Sequence, residues 1–437
     1  MRNFFDNRKV NSIDDQRLFS SKKDESKKNA TTQKKLQQIH LEMSHIDNAV
    51  VGLLVTHTTT FEGHLPFQAI IERFTEAITS NPSFVRFRSE YNKETERWTP
   101  IKEWDAKQHS ICHHDDESEN MLKDAESKSR ERVKHMDNGK AWIFHFKYNP
   151  ATNDTTMRWI LNHALGDGYA IRAVLISLLD RSSTQKHPSP KISFGLKFVR
   201  PYYDIRTVQQ IRAYKKSVEA ETIPQTRSST QTDSIIPVEF PGLSIRKIKT
   251  FAKDNRVTMQ DALIYLVACT KKRIGGSEDD GWLSVAFNQR GLKQLDRMDN
   301  LINPLPVQLG GGELSSIHRS TKTLKGSTIT TYKGYKARNK LQGKQGSVIG
   351  APQEDRIICL TNMCGVLGED ESVFEHKIRN MRFYAHVPNV FSFISNGPSL
   401  YPTFTIEESK RDGRGELVRT TFMSIVEELN LLSDTHL

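Results

Sequence analysis

The segment Asn162-His163-Ala164-Leu165-Gly166-Asp167-Gly168 brings together residue types that can do acid–base chemistry. Before it, residues 156–161 alternate in polarity and are rich in β-formers, which predicts a strand. The apolar run after it predicts a buried helix. His163 is therefore expected on a strand-to-helix turn, where its imidazole would be rigid enough to act as a general base. The two glycines beside Asp167 favour a tight turn with unusual backbone angles, in which the carboxylate serves the turn.

The same short pattern also fits a core histidine beside an ordinary Asp-Gly turn, because a His-x-x-x-Asp-Gly match has little specificity by itself. The rest of the chain must decide between a catalytic and a structural histidine.

Composition limits the classes of protein to consider. At 437 residues with 36% hydrophobic side chains, the chain is long enough for two to three globular domains. The formal charge of +11 favours anionic partners, which include nucleic acid, acidic lipid headgroups and the phosphates of a coenzyme. The four cysteines are scattered without paired spacing, which indicates neither a disulfide framework nor a zinc site: Cys112, Cys269, Cys359 and Cys364.

The chain is expected to fold as two halves joined by a polar crossover. Residues 1–39 are predicted to be a disordered basic tail, 40–185 the half with the histidine motif, 186–234 the linker, and 235–437 the second half. No run approaches the roughly 18 apolar residues that span a bilayer, and no secretory signal is recognised. We therefore expect a cytoplasmic protein that touches membranes or lipid droplets only peripherally.

In the first half, strands are predicted at Ala49–Val55, Phe84–Arg88 and Lys140–Phe146, the last as the hairpin partner of the strand that enters the motif. The stretch from His113 to Asp116 could offer metal ligands, but neighbouring side chains point apart, and a solvated loop is the favoured interpretation.

In the linker, residues 191–203 mix apolar and basic side chains ahead of a predicted basic helix at residues 204–218. Such a segment could lie on an anionic membrane surface, and the alternative is a crossover packed along the protein with a solvated basic face.

In the second half, a helix is predicted over Thr258–Thr270. Thr258 and Asp261 fit a capping box, which gives Asp261 a structural explanation. A strand over Trp282–Phe287 leads to Arg290, and a short strand leads to Asn362. A run of basic residues from position 322 to 340 is either a solvated helix face or a partner for phosphates.

Six short motifs, in this order, resemble the wax ester synthase/diacylglycerol acyltransferase family, a branch of the His-x-x-x-Asp-Gly acyltransferases. They are Met43-Ser44 with Asp47, Trp142, Asn162 to Gly168, Met259 to Asp261, Arg290 with Asn300 to Pro306, and Thr361 to Gly365. The agreement spans roughly residues 41–432. Two positions depart from the family pattern: Asn162 replaces the first histidine of the motif, and Gln260 replaces an asparagine.

The resemblance implies an α/β fold of two chloramphenicol-acetyltransferase-like domains, arranged as a pseudo-dimer with an active-site tunnel between them. It also implies an acyl-CoA-dependent O-acyltransferase with His163 as the general base. Asp167 would hold the turn by pairing with an arginine, either Arg290 or Arg86, and Gly168 belongs to the same motif. The oxyanion donor would be Asn303 or Asn362.

The implied substrates are acyl-CoA and a long-chain alcohol or diacylglycerol. An anionic membrane or lipid-droplet surface is the implied further partner. No cofactor, metal or nucleic acid is expected. Three other functions stay open: an acyltransferase with a different alcohol or amine acceptor, a non-catalytic lipid- or CoA-binding protein, and a basic scaffold for nucleic acid or membranes.

Overall fold

The computed structural model describes residues 50–114, 117–180, 196–220, 234–275, 281–288, 302–327, 359–363 and 371–433. The strands of these residues are β1 (Leu54–Glu62), β2 (Ser89–Asn92), β3 (Arg97–Pro100), β4 (Ser110–Cys112), β5 (Trp142–Asn149), β6 (Asp154–Asn162), β7 (Ile235–Glu239), β8 (Leu243–Ser244), β9 (Trp282–Asn288), β10 (Ile302–Gln308), β11 (Cys359–Met363), β12 (Ser372–Val373), β13 (His376–Ala385), β14 (Val390–Asn396) and β15 (Ser399–Glu407). The α-helices are α1 (Phe67–Ser80), α2 (Glu119–His135), α3 (Gly168–Leu178), α4 (Leu196–Ala220), α5 (Ile245–Asp254), α6 (Met259–Gly275), α7 (Leu314–Gly326) and α8 (Glu416–Glu428).

Two large mixed sheets organise the chain, as expected for two α/β halves. The first has the strand order β12-β13-β1-β6-β5-β4, and the second has the order β10-β9-β11-β14-β15-β7, with β8 also paired to β15. In the first sheet, alternate residues of β6 face opposite layers. Trp159 and Leu161 enter the core shared with α1 and α3, while Ile160 packs with Val133 of α2. The second sheet shares its core with α5, α6, α7 and α8.

Two strands from the second half of the chain join the first sheet. β12 and β13 come late in the chain, yet β13 pairs antiparallel with β1, with Val55 opposite Ala385. The division of the chain at residue 235 does not anticipate this pairing, because strand partners so far apart in sequence leave no local signal.

Several predicted elements are confirmed and others need correction. The hairpin of β5 and β6 is present, with Trp142 opposite Leu161. The strand predicted at residues 49–55 lies later, as β1, whose first four residues are buried and whose exposure alternates only from Thr58 onward. The strand predicted at Phe84–Arg88 is wrong. Residues 82–88 form a 3-10 helix because Asn81 caps it and Pro82 begins it.

The solvated loop predicted around His113 is also wrong for that residue. His113 is buried, and its ring stacks on the ring of His145 in β5. Its Nδ1 donates to the Glu117 carboxylate (2.7 Å), and its Nε2 lies at hydrogen-bond distance from His145 Nδ1 (2.8 Å). Within the described part of the chain, no group of three or more His, Cys, Asp or Glu side chains is placed to bind a metal ion.

The linker helix α4 packs on α7 of the second half. Thr207 and Ile211 are buried against α7, and the Gln210 amide donates to the Ser320 hydroxyl (2.6 Å). The opposite face is exposed and carries Arg206 and Arg212. The apolar side chains of the predicted membrane-binding segment, Phe194, Leu196, Phe198 and Val199, lie outside the described part of the structure. Among the described helices, none combines the length and the hydropathy needed to cross a membrane.

Candidate active site

The histidine turn joins β6 to α3 and is fixed at both sides. The Asn162 side chain caps the 3-10 turn His163–Leu165 by accepting from the Ala164 N–H (3.1 Å). Its amide also donates to the carbonyls of Val133 (3.1 Å) and Lys134 (3.3 Å) in the last turn of α2. The backbone N–H of His163 donates to the Leu53 carbonyl (2.7 Å), next to the start of β1. Asn162, which replaces a histidine of the family motif, therefore anchors the turn to its surroundings.

His163 differs from its neighbours in exposure. From Trp159 to Gly168 every residue is buried except His163, which is half-buried. The fold thus presents one imidazole from an otherwise closed turn. This arrangement is what a base needs if it is to meet a substrate while its position is set by the backbone.

Other histidines of the first sheet are in a different situation. Burial lowers the pKa of His57 to about 3, and burial together with the nearby His113, Arg158 and Arg130 charges lowers the pKa of His145 to about 3. Both are neutral core residues at physiological pH.

Asp167 lies at the start of α3. Its side chain is fully buried, and it accepts from the Ala170 N–H (3.2 Å), as a helix N-cap does. Arg86, one of the two arginines expected to pair with Asp167, is also fully buried, and its guanidinium donates to the Ala164 carbonyl (3.1 Å) of the same turn. The 3-10 helix at residues 82–88 is what brings Arg86 there. Arg290 lies outside the described residues.

The two glycines of the motif have different roles from those predicted. Gly166 has φ 159° and ψ 170°, which is nearly extended backbone. Gly168 is the first residue of α3, and its φ is not positive. The requirement at Gly168 is space: a Cβ there would lie 2.7 Å from the Met363 sulfur. Met363 is the last residue of β11 in the second sheet, so the motif of one half touches a strand of the other at this point.

Asp261 organises a buried junction in the second half. The capping box is confirmed, because the Asp261 carboxylate accepts from the Thr258 N–H (2.8 Å) and the Thr258 hydroxyl accepts from the Asp261 N–H (3.3 Å). The carboxylate also accepts from Thr321 (2.5 Å) and His318 (2.8 Å) of α7. Burial disfavours the charged form of Asp261, but these hydrogen bonds outweigh it and lower its pKa. Sequence reasoning missed His318 and Thr321, which no motif marks.

Asn362 lies in β11 and contacts the start of α6. Its amide donates to the Gln260 side-chain oxygen (2.6 Å) at the start of α6. Leu360, two residues earlier in β11, lies in the core of the second half, whereas Met363 lies in the core of the first. The Asn362 amide therefore contacts α6, while its neighbour Met363 lies against Gly168 of the histidine motif.

Asn303 lies in β10, opposite Phe287 of β9, and its side chain lies outside the described part of the structure. The two departures from the family pattern thus make specific contacts: Gln260 with Asn362, and Asn162 with α2.

Comparison with known proteins supports the architecture. No profile of a known protein family matches the chain, and no curated protein sequence matches it. Among solved structures, a wax ester synthase/diacylglycerol acyltransferase from Marinobacter aquaeolei VT8 matches with a TM-score of 0.51 and 12% identity, over 89% of this chain and 100% of that one. The first condensation domain of the CDA synthetase matches with a TM-score of 0.58 and 12% identity, over 89% and 95%. The starter condensation domain of rhizomide synthetase, in complex with C8-CoA and Leu-SNAC, matches with a TM-score of 0.56 and 13% identity, over 91% of this chain and 96% of that one.

These likenesses cover nearly the whole chain and confirm the predicted fold class, although their identities are low. The chain has the two-domain, chloramphenicol-acetyltransferase-like fold that these solved structures share.

Proposed function

We propose that this protein is an O-acyltransferase that moves a fatty acyl group from acyl-CoA to an alcohol. The acceptor would be a long-chain alcohol, which gives a wax ester, or diacylglycerol, which gives triacylglycerol. The observation that carries the proposal is the half-buried His163 on a turn that is otherwise buried between residues 159 and 168. The similarity to a wax ester synthase/diacylglycerol acyltransferase, and to a condensation domain in complex with C8-CoA, supports the substrate class.

In the proposed reaction, His163 accepts the hydroxyl proton of the acceptor while the oxygen attacks the thioester carbonyl. The tetrahedral intermediate collapses with cleavage of the C–S bond, and the imidazolium returns the proton to the departing thiolate. The products are an ester and free CoA. A positioned general base of this kind contributes about 10² to 10⁴ in rate. We assign no metal or cofactor to the reaction, in which acyl-CoA is a substrate.

Asp167 is assigned a positioning role. It is fully buried and already caps α3 through the Ala170 N–H, which makes it poorly placed to exchange protons with a substrate. The proposed oxyanion donor is Asn303 or Asn362, and the Asn362 amide has a second N–H besides the one that it donates to Gln260 (2.6 Å).

The test is to incubate the purified protein with labelled palmitoyl-CoA and a panel of acceptors, and then to separate the products. The panel contains a long-chain alcohol, diacylglycerol, a small alcohol and an amine. His163→Ala should lower turnover by about two to four orders of magnitude without a change in melting temperature. His135→Ala, which removes a mostly exposed imidazole from α2, is the matched control and should retain parental activity.

The outcomes separate the remaining candidates. If the protein forms an ester with only the small alcohol, or an amide with the amine, the proposed acceptor is wrong but acyl transfer from acyl-CoA is retained. Binding of acyl-CoA without transfer to any acceptor would indicate a binding protein. Activity of His163→Ala within threefold of the parent would remove this residue from the mechanism.

A further inference from the structure

A basic cleft lies on the second half, between α7 and the turn that joins α5 to α6. Its volume is about 470 Å³, which is within the roughly 300–1,000 Å³ typical of small-ligand sites. Six of its lining residues have polar side chains: Asn255, Arg256, Ser315, His318, Arg319 and Lys322. The cleft therefore offers several hydrogen-bond donors to one ligand, and three of the donors carry a permanent positive charge.

The three cations are available. Arg256, Arg319 and Lys322 are exposed, and none of them forms an ion pair with another described residue. The nearest buried carboxylate, Asp261, is already engaged by Thr258, His318 and Thr321. The cleft therefore has three cationic side chains without an ion-pair partner among the described carboxylates, beside one buried carboxylate, Asp261.

The walls of the cleft are fixed relative to each other. The bonds from His318 and Thr321 of α7 to Asp261 of α6 connect the two walls. His318 contacts Asp261 through Nδ1, so its Nε2 is the nitrogen left for a ligand in the cleft. Lys325, one turn beyond Lys322, donates to the Thr258 hydroxyl (3.3 Å) and adds positive charge at the base of the same junction.

We propose that this cleft binds a phosphate group, and that the CoA part of the acyl donor supplies it. This inference rests on the proposed function, because CoA carries both a ribose 3′-phosphate and a pyrophosphate. A phosphate monoester has a charge of about −1.5 to −2 at pH 7, which matches a cluster of three cations. Arginine side chains bind phosphate oxygens in a bidentate manner, and a lysine adds a point charge.

The sequence alone already raised phosphate as one of two interpretations of the basic run that begins at Lys322. The structure gives that interpretation a location, because Arg256 from a distant part of the chain meets Arg319 and Lys322 at the same cleft.

The experiment measures binding by calorimetry with CoA, dephospho-CoA, adenosine 3′,5′-bisphosphate and inorganic phosphate as probes. The cleft variant is Arg256→Gln/Arg319→Gln/Lys322→Gln. The control variant, Lys102→Gln/Lys107→Gln/Lys123→Gln, removes the same charge from exposed positions of the first half.

We expect the cleft variant to bind CoA at least about tenfold more weakly than the parent, a change of about 1.4 kcal/mol, and the control variant to match the parent. A loss confined to CoA and the bisphosphate would place the 3′-phosphate in the cleft, and an equal loss with dephospho-CoA would place the pyrophosphate there. Equal CoA binding by the parent and the cleft variant would overturn the proposal. Equal weakening in the cleft and control variants would also overturn it, because only net charge would then matter.

Two further results separate this inference from the proposed function. If the parent shows no acyl transfer but binds CoA in a cleft-dependent way, the function fails and the site stands. If acyl transfer proceeds with an unchanged KM for acyl-CoA in the cleft variant, the site fails and the function stands. Binding of phosphatidic acid vesicles that depends on the cleft, without binding of any soluble probe, would assign the surface to lipid headgroups and overturn the CoA assignment.

Discussion

Replacing Asn162 tests whether its side chain positions the catalytic turn. The buried amide group makes three hydrogen bonds: one from the Ala164 N–H and two to the carbonyls of Val133 and Lys134. At about 1 kcal/mol net for each, Asn162→Ala should lower the free energy of unfolding by about 2 to 4 kcal/mol. For an m-value of about 3 kcal/mol/M, this moves the urea midpoint by about 1 M. The fluorescence of the buried Trp142 and Trp159 reports unfolding of the same core.

The substitution Asn162→Asp makes the prediction sharper because it keeps the shape of the side chain. A carboxylate can still accept from the Ala164 N–H, but it cannot donate to two carbonyls, and it places a negative charge at the C-terminal end of α2, where the helix dipole is already negative. We therefore expect Asn162→Asp to be at least as unstable as Asn162→Ala. The control Asn149→Asp changes an exposed hairpin residue that only accepts a hydrogen bond, and it should stay within about 0.5 kcal/mol of the parent.

Activity provides a second measurement of the same perturbation. If Asn162 positions His163, both Asn162 variants should lower kcat by about 10²-fold with little change in the KM for acyl-CoA, because a displaced base affects the chemical step more than binding. Parental stability of Asn162→Asp would refute the role of the two donated bonds. A normal kcat in a destabilised variant would refute the positioning of His163.

Three other substitutions test separate parts of the molecule. Burial disfavours the charged form of Asp180, but hydrogen bonds from the Arg73 and Ser372 side chains and from the Glu375 and Phe374 N–H groups lower its pKa to about 2. Because this pKa is below the unfolded value, the stabilising effect of Asp180 is present above about pH 4 and is lost as the pH falls toward 2. The stability gap between the parent and Asp180→Asn in urea should therefore be wider at pH 7 than at pH 3, and an equal gap would contradict this. Asp167→Ala should lower both the melting temperature and kcat. If a buried arginine loses its partner, the free energy of unfolding should fall by about 3 to 5 kcal/mol. A loss of kcat with an unchanged melting temperature would indicate a direct chemical role. Substituting glutamine for Arg206 and Arg212 should weaken sedimentation with anionic liposomes by about 1 kcal/mol for each residue in low salt, and equal binding would leave α4 as a packed crossover only.

Features encoded by neighbouring residues could be predicted from the sequence. The β5–β6 hairpin, the turn that carries His163 and the capping box of Thr258 and Asp261 depend on residues within a few positions of each other, and all three are present. The resemblance of six motifs, in order, to a known family implied the overall fold, whereas alternating strands and helices on both sides of a polar linker indicated only two α/β halves.

Features formed by distant residues could not be predicted. Asp261 and His318 are 57 positions apart, and Asn362 and Gln260 are 102 positions apart, so no periodicity connects them. The 3-10 helix over residues 82–88 resembled a strand because its aromatic and β-branched residues have high strand propensity, which its capping residues overrode.

Both ends of α3, the helix that follows His163, contact residues from late in the chain. At its start, Gly168 packs on Met363 of the second sheet. Just beyond its end, Asp180 accepts from the backbone N–H groups of Phe374 (2.8 Å) and Glu375 (2.7 Å), two residues with positive φ angles in the turn between β12 and β13. These bonds offset the backbone strain of that turn, which connects the strands that cross into the first sheet. Since the same helix is fixed at one end by the crossing segment and at the other by β11, the position of His163 depends on contacts between the two halves. A change at Asp180 should therefore alter kcat as well as stability, although Asp180 lies beyond the far end of α3 from His163.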